Sequence, residues 1–137
     1  MKPDFVIFLG DTPDHDVMNQ TAERHLRALQ DFSKLLQEKY KGPVYPVLGN
    51  HEAFPADTFD VAPNGKHNWI IKESLKAWEP WLTQDMKKTF EEIGCYSTLH
   101  GDTNLRIIGL NPFVQLGSNI LIWKNQTDPL GTVRYKY

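Results

Sequence analysis

Two short polar motifs in this sequence carry side chains that could bind a metal ion. Asp11 follows the apolar run at residues 5–9, and the tetrapeptide Gly-Asn-His-Glu at residues 49–52 follows the apolar run at residues 44–48. A carboxylate, an amide oxygen and an imidazole suit divalent cations such as Zn²⁺, Mn²⁺ or Fe²⁺. The residues that supply these groups are Asp11, Asn50 and His51. The same residue types also form turns and cap helices, so spacing alone leaves both interpretations open.

The elements around the motifs predict how they are positioned. The runs at residues 5–9 and 44–48 are short and rich in apolar residues, which is typical of strands in a mostly parallel sheet, and the first is expected to be buried on both faces. Between them, residues 17–40 repeat apolar side chains at spacings of three and four, which predicts one amphipathic helix. A right-handed βαβ crossover places the carboxyl ends of the two strands side by side. Asp11 and Asn50 are therefore expected to lie close together.

The rest of the chain continues the α/β pattern. Residues 54–68 are rich in turn-forming residues and predict a long loop, and the chain from residue 111 onward is expected to be irregular. The other predicted elements are a helix at residues 69–78, a helix capped by Thr83 that runs to Ile93, and a hairpin of strands at residues 95–99 and 105–110. Trp69, Trp78 and Trp81 are expected in the core rather than on an apolar lip that meets a membrane.

Composition limits the class of protein. A length of 137 residues is about one domain. Fifteen Lys and Arg against seventeen Asp and Glu give a net charge of −2, which argues against general nucleic-acid binding. No apolar run approaches the length of a transmembrane segment, and the N-terminus lacks the pattern of a signal peptide. The single cysteine, Cys95, cannot form a disulfide within the chain and is expected to pack as a small hydrophobic residue.

Four strings of residues, taken together, resemble one family. Gly-Asn-His-Glu at residues 49–52 is expected by chance in fewer than about one in a hundred chains of this length. With Gly-Asp at residues 10 and 11 it resembles the motifs of the calcineurin-like metallophosphoesterases. The longer strings at residues 10–17, 45–52, 76–82 and 125–129 are similar to the acid sphingomyelinase branch. The resemblance implies an α/β fold that is part of an αββα sandwich, with mixed sheets flanked by helices and incomplete at both ends.

The resemblance also implies roles for individual residues. Asp11 corresponds to the carboxylate that bridges two zinc ions, and Asn50 to a ligand of the second zinc ion. His51 corresponds to a group that hydrogen-bonds the phosphoryl oxygens. His15 corresponds to a residue that stabilises the transition state or protonates the leaving alkoxide. A metal pair that activates water and an imidazolium that protonates the leaving group are compatible chemistry.

The activity implied by the resemblance is hydrolysis of a phosphodiester. In the acid sphingomyelinase type, sphingomyelin is cleaved to ceramide and phosphocholine in a lysosomal or extracellular setting, with the substrate at a membrane surface. A second hypothesis keeps the chemistry and changes the substrate to nucleotides, as in sphingomyelinase-like phosphodiesterases. A third hypothesis, of another class, is a non-catalytic binding or decoy module on the same scaffold.

The sequence also departs from the family pattern. It contains no Asp-x-His motif before residue 5 and no later Gly-His or Gly-His-x-His motif, which would supply the other zinc ligands, and the saposin-like domain is absent. Residues 1–137 are accordingly interpreted as the central part of one catalytic domain. The isolated chain is expected to bind metal poorly, to lack activity and to expose sheet edges that favour aggregation.

Several other polar residues have weaker signals. Asp16 is expected to cap the first helix, and Glu52 is expected either to orient His51 or to face solvent. The remaining histidines are expected on the surface, and they are His25, His67 and His100. Two Asn-x-Thr sequons are glycosylation candidates if the chain enters the secretory route, and their asparagines are Asn19 and Asn125.

Overall fold

The architecture is mixed α/β, as the sequence predicts. A computed structural model of the protein describes residues 2–16, 18–59, 69–114 and 116–124. The helices are α1 (Ala22–Lys39), α2 (Trp69–Ala77) and α3 (Gln84–Ile93), and the strands are β1 (Val6–Phe8), β2 (Val44–Pro46), β3 (Tyr96–Leu99) and β4 (Arg106–Gly109). Two 3₁₀ helices, Pro112–Val114 and Ile120–Lys124, lie in the segment that was expected to be irregular. No helix within the described ranges is long and apolar enough to cross a membrane.

The first half of the chain forms the predicted βαβ unit. β1 and β2 pair in parallel, with Val6 opposite Val44 and Phe8 opposite Pro46. β2 is buried throughout, but Ile7 in β1 and Leu9 just after it are 54% and 70% exposed. The prediction that the first strand is buried on both faces is therefore wrong for the described part of the chain, because β2 is the one strand that pairs with β1 there.

The start of α1 differs from the prediction. The helix begins at Ala22, because the Thr21 hydroxyl accepts a hydrogen bond from the Arg24 amide at 3.1 Å and caps the first turn. Asp16 is therefore not the N-cap; its carboxylate instead accepts hydrogen bonds from the Asn19 side chain at 3.0 and 3.2 Å. The predicted start of the helix, at residue 17, lies outside the described residues.

The core lies between the helices and the two sheets. Trp78 is completely buried, with its ring 5.9 Å from that of Phe8 and 5.6 Å from that of Phe90. Trp69 and Trp81 are partly buried and pack against the same core, so the core prediction for the three tryptophans is confirmed. Aromatic side chains of this size each bury a large apolar area, so this cluster packs β1 against α3 and the end of α2.

The predicted hairpin is present and is joined to the βαβ unit. β3 and β4 are antiparallel, with Tyr96 opposite Gly109. The buried Tyr96 hydroxyl donates a hydrogen bond to the Pro46 carbonyl at 2.9 Å, and burial raises the pKa of this phenol. Cys95 is buried, as expected for a small hydrophobic residue, and its sulfur accepts a hydrogen bond from the Asn111 amide at 3.1 Å. The hairpin thus fixes the end of β2 from which the second motif begins.

Candidate active site

The loops that follow β1 and β2 meet at one edge of the parallel sheet. An Asp11 carboxylate oxygen, Oδ1, accepts a hydrogen bond from the backbone amide of His51 at 3.1 Å. Asp11 has φ 59° and the preceding Gly10 has φ 76°, so the chain turns sharply at the strand end. The structure therefore brings together Asp11 and the segment that carries Asn50 and His51, as expected for neighbouring parallel strands.

Two glycines allow this close approach. A Cβ atom on Gly10 would lie 2.2 Å from the Gly49 amide nitrogen, and a Cβ atom on Gly49 would lie 2.2 Å from Oδ1 of Asp11. Both separations are far shorter than atomic radii permit. Any larger residue at either position would therefore push the two loops apart.

The Glu52 carboxylate links the two loops through hydrogen bonds. Its side chain is buried, with 1% of the residue exposed. The carboxylate accepts hydrogen bonds from the backbone amides of Gly49, Asp11 and Thr12 at 2.6, 2.8 and 2.8 Å, and from the Thr12 hydroxyl at 2.9 Å. Both expectations for Glu52 are wrong: it does not face solvent, and its carboxylate binds backbone groups rather than the His51 ring, because the loop after β1 presents three donors to it.

Two histidine rings lie against each other beside the loops. The centroids of the His15 and His51 rings are 4.1 Å apart, with 40° between the ring planes. His15 is exposed, whereas His51 is only 7% exposed, and Nδ1 of His51 is buried with no hydrogen-bond partner among the described residues. The pair offers one solvent-facing imidazole and one that is held within the protein.

Asn50 has a partner that the sequence did not reveal. Its side-chain nitrogen donates to Oδ1 of Asp57 at 3.4 Å, and the Asp57 amide donates to the Asn50 carbonyl at 3.3 Å. Ser118 also donates its hydroxyl to the same oxygen of Asp57 at 3.2 Å. Since the amide nitrogen of Asn50 is engaged, the side-chain oxygen is the atom left to bind a cation. Asp57 does not belong to any of the motifs identified in the sequence. Its contacts with Asn50 and Ser118 form only in the folded chain.

His25 lies in the interior, not on the surface as expected. It is 1% exposed, its ring packs edge-on against Phe54 at 5.4 Å, and neither ring nitrogen has a hydrogen-bond partner within the described part of the chain. Burial lowers the pKa of His25, which favours the neutral imidazole. His25 is buried because α1 turns it, rather than an apolar neighbour, toward Phe54 in the segment after β2.

The other predicted residues lie apart from this site. His100 is half-buried rather than on the surface, because its Nδ1 lies 2.9 Å from the Tyr45 hydroxyl and its ring packs on Phe5 at 4.9 Å. Asn19 is exposed, which is compatible with glycosylation, and its glycosylation stays a prediction. His67 and Asn125 lie outside the described residues.

Comparison with known proteins gives the geometry a context. The sequence profile described as calcineurin-like phosphoesterase matches residues 1–134. The chain belongs to this family. Human sphingomyelin phosphodiesterase is 37% identical over 137 residues, an alignment that covers 96% of this chain and 21% of the human protein. Sphingomyelin phosphodiesterase B of Dictyostelium discoideum is 32% identical over 135 residues, with the same coverage of 96% and 21%.

A relative named for another substrate is also similar. The Bos taurus protein named cyclic GMP-AMP phosphodiesterase is 31% identical over 131 residues, which covers 93% of this chain and 28% of that protein. The chain thus spans between about a fifth and three-tenths of the length of these relatives. The match shows the family to which the chain belongs. The activity of the whole relatives is not established for this chain by the match, because the chain covers only part of their length.

Membership of the calcineurin-like phosphoesterases implies a metal cofactor, and the residues present fit it in part. An exposed carboxylate, an available amide oxygen and an unpartnered buried imidazole nitrogen are suitable donors, and they belong to Asp11, Asn50 and His51. The described residues nevertheless contain no group of three His, Cys, Asp or Glu side chains able to hold a metal ion. A closed metal site needs about four ligands, so these residues constitute only one side of such a site.

Proposed function

We propose that this chain forms part of a metal-dependent phosphodiester hydrolase of the acid sphingomyelinase type, which cleaves sphingomyelin to ceramide and phosphocholine. The observation that carries the proposal is the contact between the Asp11 carboxylate and the His51 amide, which unites the two family motifs at one sheet edge. The 37% identity to human sphingomyelin phosphodiesterase supports the choice of substrate.

In this proposal, Asp11 and Asn50 are the metal ligands contributed by the described residues. The Asp11 carboxylate has a second oxygen beyond the one bonded to His51, and Asn50 has its amide oxygen available. Two zinc ions are the proposed cofactors, and the remaining ligands are proposed to lie outside the described residues. When bound, the metal pair would supply positive charge to the phosphate and acidify a water molecule.

The histidine pair is proposed to handle protons and the phosphate. Hydrolysis forms a bond from water oxygen to phosphorus and breaks the bond from phosphorus to the alkoxide oxygen, which must gain a proton. The exposed His15 is proposed to donate that proton from its imidazolium form. His51, more buried, is proposed to donate a hydrogen bond to a phosphoryl oxygen.

A nucleotide substrate is the second candidate, since a relative named cyclic GMP-AMP phosphodiesterase is 31% identical to the chain. The chemistry of the same residues would be unchanged, because both substrates present a phosphodiester. A non-catalytic binding or decoy module is the third, and it differs by predicting no turnover of either substrate.

One assay separates the three candidates. The full-length protein, of which this chain is proposed to form part, is incubated with sphingomyelin in detergent micelles and, separately, with a cyclic dinucleotide. Both incubations cover about pH 4.5 to pH 7.5. Release of phosphocholine that a chelator abolishes and Zn²⁺ restores would support the proposal. Hydrolysis of the nucleotide alone would favour the second candidate. If a protein that unfolds cooperatively, and is therefore folded, turns over neither sphingomyelin nor the cyclic dinucleotide, both enzyme candidates are contradicted.

We further propose a lysosomal or extracellular location, with a glycan on Asn19 as its marker. The side chain of Asn19 is exposed, and Thr21, the third residue of the sequon, caps the start of α1. A shift in mobility on removal of N-linked glycans from wild type, reduced in Asn19→Gln, tests this proposal. An identical shift in the variant would contradict glycosylation at Asn19.

A further inference from the structure

The buried carboxylate of Glu52 is saturated with hydrogen bonds from the loop that presents Asp11. We propose that Glu52 is a positioning residue, which holds Asp11 in the conformation that binds metal. This inference rests on the proposed function, because Asp11 is the metal ligand of that proposal. It assigns Glu52 no contact with metal or substrate.

The pattern of hydrogen bonds excludes a direct role as ligand. Oε1 of Glu52 accepts from the amide and the hydroxyl of Thr12, and Oε2 accepts from the amides of Asp11 and Gly49. A carboxylate has about four lone-pair sites, so each oxygen is fully used. No Lys, Arg or His ion pair to Glu52 occurs in the described ranges, and the donors are neutral groups of two adjacent loops.

The hydrogen bonds to Glu52 hold the part of the loop that has a left-handed backbone conformation. Asp11 has φ 59°, a left-handed conformation that is uncommon for non-glycine residues, although aspartate adopts it more readily than most. Glu52 binds the amide of Asp11 and the amide of the next residue, Thr12, so it fixes the peptide groups on both sides of this residue. With the backbone fixed, Oδ1 of Asp11 reaches the His51 amide.

Glu52 also links this conformation to the second motif. Its bond to the Gly49 amide, 2.6 Å long, ties the start of the Gly-Asn-His-Glu segment to the same carboxylate. One side chain thereby sets the separation between the Asp11 loop and the loop that carries Asn50. A shift of the carboxylate would move both proposed ligands relative to each other, and metal affinity depends steeply on such supporting contacts.

Two substitutions separate an acceptor role from simple filling of space. Glu52→Gln keeps the volume but replaces one oxygen with an NH₂ group that faces backbone donors. Glu52→Asp keeps two oxygens but shortens the side chain. Thr12→Val removes only the hydroxyl bond, and Glu79→Gln, at an exposed acid 72% accessible, is the matched charge control.

Backbone hydrogen exchange in the full-length, metal-free protein is the first measurement. In Glu52→Gln, the amides of Asp11, Thr12 and Gly49 are expected to exchange about tenfold faster or more, which corresponds to loss of one good hydrogen bond. The Trp78 amide, bonded to the Ser74 carbonyl within the core, is the internal reference and is expected to be unchanged. Thr12→Val is expected to show a smaller increase, and Glu79→Gln none.

Titration with Zn²⁺ alone is the second measurement. Glu52→Gln is expected to weaken zinc affinity by about 10- to 100-fold, the range typical of groups that orient metal ligands. Glu52→Asp is expected to lie between wild type and Glu52→Gln. Unchanged exchange and zinc affinity in Glu52→Gln would overturn the proposal, as would better function in Glu52→Gln than in Glu52→Asp, because that order indicates a need for volume.

The outcomes also distinguish this inference from the proposed function. If wild type neither binds zinc nor hydrolyses a phosphodiester, the proposed function fails, while the exchange rates still decide whether Glu52 fixes the Asp11 loop. If Glu52→Gln does not fold, Glu52→Asp and Thr12→Val carry the test. Wild-type exchange and zinc affinity in both of these variants would then overturn the inference.

Discussion

The His15 and His51 rings lie against each other, with centroids 4.1 Å apart and 40° between their planes. One ring is exposed and the other is buried, and the backbone of the buried one donates to Asp11. The contact therefore connects the segment after β1 to the segment after β2 at the proposed phosphate site. It also gives the two imidazoles different access to solvent, which is the condition for assigning them different tasks.

The first prediction concerns proton donation by His15. In the full-length protein, His15→Gln is expected to lower kcat by about 10²- to 10⁴-fold, the usual contribution of a general acid. The loss is expected to shrink with an activated aryl phosphodiester, whose leaving group needs no proton. Because His15 is exposed, its removal should leave the free energy of unfolding within about 0.5 kcal/mol of wild type. An equal loss of kcat on both substrates would contradict proton donation.

The second prediction concerns the charge of Asp11. Asp11→Asn keeps an oxygen that can accept from the His51 amide but removes the negative charge, so the loops should stay together while metal binding weakens. We expect zinc affinity to fall by about 100-fold or more, beyond the effect of an indirect contact. Calorimetric titration measures it. Asp14→Asn, at an exposed acid paired with Arg24, is the control, and an equal loss there would indicate a nonspecific charge effect.

Local patterns were sufficient to predict the elements that carry the site. Apolar runs gave both parallel strands, and turn residues gave the hairpin and the end of α3 at Gly94, whose φ is 72°. The strands proved shorter than the apolar runs, because pairing ends where the chain turns. The apolar run at residues 5–9 also suggested burial on two faces, whereas burial depends on neighbouring layers that a single sequence does not specify.

The interior of α1 shows the limit of apolar periodicity. Phe32, one of the regularly spaced apolar residues of this helix, is 39% exposed, although its ring lies 4.7 Å from that of the buried Phe8. The most deeply buried residues of the helix are His25, Leu29 and Ser33, spaced by four. Two of the three are polar, so a search for apolar side chains finds Leu29 but misses His25 and Ser33.

The roles of two acids could not be predicted for a different reason. Glu52 and Asp57 act through hydrogen bonds to residues distant in the chain, namely Asp11 and Thr12 for the first and Ser118 for the second. Such partners become neighbours only after the strands pair. The family motif identified Glu52 as a position of interest, but the function of its carboxylate depends on the loop that folds over it.

The third prediction compares two glycines with positive φ. Gly10→Ala is expected to lower the free energy of unfolding by about 2–5 kcal/mol, from left-handed strain together with overpacking against Gly49. Gly101→Ala, at φ 52° with no atom within 4 Å of the added Cβ, is expected to cost only about 1 kcal/mol. Urea denaturation measures both. Equal costs would show that the loops move apart without penalty.

The fourth prediction concerns the pH dependence of stability. Burial lowers the pKa of His25 from 6.5, so as pH falls below about 6.5 the unfolded chain takes up a proton that the folded protein refuses. The unfolded state then binds more protons, and the free energy of unfolding decreases toward acidic pH. The decrease should end once pH falls below the lowered pKa of the folded state.

His25→Leu should remove this part of the pH dependence. Leucine cannot be protonated, and it replaces two ring nitrogens that have no hydrogen-bond partner in the described structure, so we expect the variant to match or exceed wild type at pH 5 by up to about 1–3 kcal/mol. Denaturation at pH 7.5 and pH 5 measures the difference. A wild-type slope in His25→Leu would show that His25 does not account for the acid sensitivity.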